Sequence, residues 1–105
     1  MNRLFAVILQ RGPAYRPEKP LEAQQEWEAH RTFMNALVGD GFVVLGGPLE
    51  GTSEVLLIFR AASTEEIMKR WSEDPWVILD LLQMSRIIPW DLRLGKIEKK
   101  YPAAG

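Results

Sequence analysis

Phe42-Val43-Val44-Leu45-Gly46-Gly47-Pro48-Leu49-Glu50-Gly51-Thr52-Ser53-Glu54-Val55-Leu56-Leu57-Ile58-Phe59-Arg60 is the stretch on which the fold turns. Phe42 to Leu45 and Glu54 to Arg60 are rich in β-branched and aromatic residues, the composition of strands. Gly46-Gly47-Pro48 reads as the end of the first strand, and Leu49 to Ser53 as the connection. The two runs are close enough in sequence to pair as a hairpin.

Toward the N-terminus, an amphipathic helix is expected from about Leu21 to Val38, stopped by Gly39-Asp40-Gly41 because glycine adopts the left-handed cap conformation cheaply. At helical spacing Ala23, Trp27, His30, Met34, Leu37 and Val38 fall within an arc of about 100°. Gln24, Gln25, Glu28, Arg31, Thr32 and Asn35 take the other side. Ala14 to Pro20, with two prolines, is a loop. Leu4 to Leu9 is a short apolar run closed by Arg11-Gly12-Pro13, hence a buried strand.

Toward the C-terminus, Ser63-Thr64-Glu65-Glu66 matches the capping box and starts a helix whose inward residues are Ile67, Met68 and Trp71. Asp74-Pro75 begins a new short helix through about Leu82, since aspartate caps and proline suits the first helical position. Ile87 to Leu94 is the fourth strand, with Pro89 placing it at a sheet edge. The order β-α-β-β-α-β predicts an α+β, ferredoxin-like domain spanning residues 1–105, with a tail from about residue 96. Right-handed connections put both main helices on one face of a four-stranded antiparallel sheet. Because the strands are apolar at nearly every position, the uncovered face would be apolar too, which predicts a homodimer packed sheet to sheet.

The 105 residues carry a formal net charge of −1, with 47% hydrophobic and 26% charged residues, so no strong field for nucleic acid or anionic lipid is implied. Lys96, Lys99 and Lys100 read as a solvated tail. The apolar N-terminal run is short, meets Gln10-Arg11 at once and lacks a small-residue cleavage site, so a strand is the better reading than a signal peptide. No segment approaches the ~20 apolar residues of a membrane span. With no cysteine, disulfides and thiolate chemistry are excluded, and a cytoplasmic location is expected.

Chemistry narrows quickly. One histidine and scattered carboxylates give no metal-ligand spacing, and no cofactor is expected. Gly46-Gly47-Pro48 lacks a following helix to direct at a phosphate, and no G-x-S-x-G is present. His30 remains. Inside an apolar stripe it is either a packed residue or the working group of a pocket. An imidazole serves as a base when one nitrogen is held by an acceptor and the other faces substrate. Asp74, beside the second helix, is the best acceptor, although aspartate before proline is also a common helix cap. Arg11 could bind a substrate carboxylate or be a surface charge at a turn. Trp27, Phe33, Trp71, Trp76 and Trp90 could line a pocket or fill the core.

Taken in order, Arg11-Gly12-Pro13, Glu26-Trp27-Glu28-Ala29-His30, Gly46-Gly47-Pro48-Leu49 and Asp74-Pro75-Trp76 resemble the YCII-related family over Phe5 to about Gly95. The resemblance implies a dimeric α+β barrel in which His30 and Asp74 line a pocket. Some members of that family are similar to cofactor-free enzymes such as dehydrochlorinases, and related barrels include muconolactone isomerases. The serine or threonine that some members place near the histidine has no match, Thr32 falling on the polar side. The expectation is a cofactor-free lyase or isomerase in which His30 moves a proton and Asp74 orients it. In that reading Gly46, Gly47 and Pro48 let backbone approach the ligand, and Trp76 excludes water. The alternative is a non-catalytic ligand-binding or accessory dimer.

Overall fold

The computed structural model describes residues 2–97. Lys99 and Lys100 of the expected tail lie outside them. Four strands, β1 (Arg3–Arg11), β2 (Val43–Pro48), β3 (Glu54–Ala61) and β4 (Leu82–Pro89), form one antiparallel sheet in the order β2-β3-β1-β4. The helices are α1 (Trp27–Gly39), α2 (Thr64–Trp71) and a single turn, α3 (Pro75–Ile78). The connectivity and strand order are those of a ferredoxin-like α+β fold.

One face of the sheet holds the core. Phe5, Val7 and Leu9 of β1 pair with Phe59, Leu57 and Val55 of β3, and they bury against Leu37, Ile67, Trp71 and Trp76 from the helical layer. The other face carries Leu4, Ala6 and Ile8 beside Arg60, Ile58 and Leu56, with Ile88 and Arg86 added from β4. No helix among the described residues is long and apolar enough to cross a membrane.

Element ends depart from expectation where the chain turns without glycine. Leu21–Ala23 is a separate 3-10 turn, and α1 starts six residues late, behind Glu26 in the left-handed region at φ 57°. Gln24, expected on the polar side, is buried. Its amide accepts from Arg16 N–H at 2.9 Å and donates to the Arg16 and Lys19 carbonyls at 2.7 and 3.1 Å, which fastens the loop 14–20 to the domain. α1 ends as expected: Gly41 is left-handed at φ 78°, and Gly41 and Phe42 donate to the Val38 and Leu37 carbonyls.

The same motif ends α3 four residues earlier than expected, but Asp80 occupies the left-handed position, at φ 64°. Asp80 and Leu81 donate to the Val77 and Trp76 carbonyls. Strand β4 therefore begins at Leu82 and not at Ile87, and residues 90–94 are outside it. It is an edge strand, as expected, with Pro89 as its last residue. Ser63 Oγ accepts from Glu66 N–H at 3.1 Å, but the Glu66 carboxylate reaches back to Ala62 N–H and not to Ser63. Met68, expected inward, is 49% exposed.

Gly46-Gly47-Pro48 does not end β2 but forms its second half, paired with Leu57, Leu56 and Val55. A bulge at Val44 decides which way these residues face. It shifts the pairing so that Leu45 lies opposite Ile58 on the open face, while Gly46 and Pro48 join the helix-covered face. Because β2 is an edge strand, Pro48 costs the sheet no central donor.

Candidate active site

Asp74 is placed by two local rules. The loop after α2 hands the chain to Pro75 at the first position of α3, and Asp74 caps that turn, its Oδ1 accepting from Trp76 N–H at 3.0 Å. Its carboxylate is 0% exposed. From α1, the apolar stripe carries His30 to the same point. His30 Nδ1 lies 2.9 Å from both Asp74 oxygens, and this buried pair joins residues 44 apart in sequence. Since a carboxylate only accepts, the bond puts the ring proton on Nδ1. Nε2 makes no hydrogen bond among the described residues.

Trp76 completes the support. Its ring stacks on the His30 imidazole with centroids 3.9 Å apart and planes 1° from parallel. Its indole N–H donates to the Gln25 carbonyl at 2.7 Å, so both ends of the residue are tied, one to the cap and one to the chain before α1. Glu26, whose backbone is left-handed, follows directly after that carbonyl. Trp76 is 2% exposed, and Tyr15 meets it edge-on at 6.1 Å. Trp76 thus acts on the histidine's orientation, a role its sequence position did not suggest.

His30 forms part of the wall of a cleft of about 240 Å³ between α1 and the sheet. The structure brings Arg11, Gly46, Gly47, Pro48 and Trp76 to the same cleft, and sets Asp74 directly behind His30. Leu9, Leu57, Val55, Met34 and Trp27 make most of the remaining surface apolar. Arg31 and Asn35, assigned to the polar side of α1, also line the cleft, because it opens at the flank of that helix. Thr32 is exposed and Trp71 lies in the core, away from it.

The two glycines differ in kind. A Cβ on Gly46 would collide with the Leu57 side chain and lie 2.6 Å from the Leu56 carbonyl oxygen, whereas one on Gly47 would meet nothing within 4 Å. Gly46→Ala is therefore expected to lower stability by about 1–3 kcal/mol and Gly47→Ala by less than about 1 kcal/mol, measured by urea denaturation. Equal effects would mean that β2 does not approach β3 as described. Gly12, in the Arg11-Gly12-Pro13 motif, is likewise required by close approach, here to the Asp80 carbonyl.

No three His, Cys, Asp or Glu side chains among the described residues come together in a way that could hold a metal ion. Fold and site together define a ferredoxin-like α+β protein with a buried histidine–carboxylate pair at the wall of an apolar cleft. No family model and no curated protein matches the chain.

Proposed function

We propose that the protein is a small cofactor-free enzyme of lyase or isomerase type in which His30 is the proton-transfer group. The observation that carries the reading is the buried 2.9 Å contact from Asp74 to His30 Nδ1, on a ring that also lines the cleft. In this reading Nε2 takes a proton from an acidic C–H of a small organic substrate, and Asp74 holds the tautomer and balances the charge that the ring acquires. The electron pair left on carbon either expels a leaving group from the neighbouring carbon, as in a lyase, or recaptures the proton at another carbon, as in an isomerase. The proton is the only species the protein must hold, so the chemistry needs no cofactor.

Membership of the YCII-related family and a homodimer closed over the open sheet face belong to the same proposal. The ordered motifs support the first. Leu4, Ala6, Ile8, Leu45, Leu56 and Ile88 on one face support the second, because none of them is fully buried and contiguous apolar surface favours association. A cytoplasmic location is supported by the cysteine-free composition.

The test is a thermal-shift screen of small organic acids, esters and lactones, followed by incubation of the stabilising compounds with the protein in heavy water. Deuterium incorporation at one carbon, or release of a leaving group, is the expected result. Compounds that bind without exchange or turnover would make this a ligand-binding protein instead.

A further inference from the structure

We infer that the cleft takes a small monocarboxylate, with the carboxylate held by Arg11 and the apolar body lying between Arg11 and His30. This deepens the proposed function and rests on its premise that the cleft is the substrate site. Three observations lead to it. The first is the sign of the lining: Arg11 and Arg31 both border the cleft, Arg11 also bordering an adjoining hollow with Tyr15, Thr52 and Ser53, and no aspartate or glutamate lines either space, in a chain whose formal net charge is −1.

The second is that, of the two cations lining the cleft, Arg11 is the one without a counter-charge among the described residues. Arg31 reaches Glu28 at 3.4 Å. Arg11 has none among the described residues, and its guanidinium makes no hydrogen bond there, although the residue is half-buried. A planar fork of donors with its acceptors missing, at the wall of an apolar cleft, is complementary to one carboxylate. With a single uncompensated charge, a monoanion is matched better than a phosphate dianion.

The third is rigidity. The Arg11 guanidinium sits 4.3 Å over the Tyr15 ring, Tyr15 meets Trp76 edge-on at 6.1 Å, and Trp76 stacks on His30 at 3.9 Å. Arg11 and His30 thus stand at the two ends of one chain of aromatic contacts, with Tyr15 and Trp76 both buried. The anchor and the base are held at a set separation, so a ligand fixed by its carboxylate presents a defined carbon to Nε2.

The probes are benzoate and its neutral isostere benzamide, followed by isothermal titration calorimetry and by quenching of tryptophan fluorescence. Benzoate is expected to bind roughly tenfold to a hundredfold more tightly than benzamide, the range of a charge-assisted hydrogen-bonded pair. Arg11→Gln should remove that preference by weakening benzoate far more than benzamide, Arg11→Lys should restore part of it, and Arg31→Gln should change it less than about threefold. Thermal melts establish that each variant is folded. Equal affinity for the two probes, no binding of either, or benzoate binding that survives Arg11→Gln would overturn the inference. Because binding is read without turnover, these outcomes are independent of whether His30 moves a proton. Failure of deuterium exchange with intact benzoate preference would instead remove the catalytic reading and leave the anion site.

Discussion

Replacing His30 by alanine is expected to lower turnover by about 10²–10⁴-fold, the usual contribution of a positioned acid–base group, while the chain still folds. Folding survives because the cost is limited. Asp74 loses its Nδ1 partner but keeps the Trp76 N–H at 3.0 Å, so one buried acceptor is left unmet, about 1–3 kcal/mol out of the 5–15 kcal/mol typical of a domain. His30→Asn sharpens the comparison, since its amide N–H can donate to Asp74 where Nδ1 does, yet it has no basic nitrogen. The measurement is turnover of the compounds found in the exchange screen, set beside urea midpoints. If both variants lose fold and activity together, His30 is a core residue whose polar end happens to be satisfied.

Asp74→Ala should produce the largest loss of stability, about 3 kcal/mol, read as a shift of the urea midpoint at constant slope. Two terms combine. Removing the α3 cap costs about 1 kcal/mol, and losing a buried charged acceptor for His30 costs about 1.5–3 kcal/mol. Asp74→Asn separates structure from chemistry. Asparagine caps a helix as well as aspartate does, so stability should fall by less than about 1 kcal/mol through the cap. Its amide, however, can either donate to or accept from the imidazole, so the tautomer is no longer dictated and turnover should fall. An alanine variant as stable as wild type would mean that the pair does not form in solution.

Trp76 places a further constraint on how such results are interpreted. Its backbone N–H donates to the Asp74 cap, its ring stacks on His30 and its indole N–H reaches Gln25, so substituting its side chain removes the stack on the histidine and loosens the turn that holds the aspartate. The conservative variants of His30 and Asp74 are therefore the informative ones.

Much of the site was legible in the chain. Asp74-Pro75 marks a helix start by chemistry that needs no tertiary contact, and helical spacing alone put His30 on the buried stripe with Trp27, Met34 and Leu37. The pairing of β2 with β3 and the edge position of β4 were legible as well, from the short connection and from Pro89. What misled was local. Asp80 and Glu26 hold left-handed backbone that their identity does not advertise, so the end of α3 and the start of α1 were each misplaced by several residues. Gly41, in the same kind of turn, was found because glycine carries that conformation cheaply.

The sequence by itself determined the α+β class, the element order, the buried histidine and the capping aspartate, because periodicity and capping are properties of neighbours along the chain. Only the tertiary structure decided that the histidine meets that aspartate across 44 residues, that a bulge at Val44 turns Gly46 and Pro48 into the cleft, and that Trp76 stacks on the imidazole. These depend on strand register and on the approach of separate elements, which are fixed by packing over the whole sheet and leave no mark on local composition.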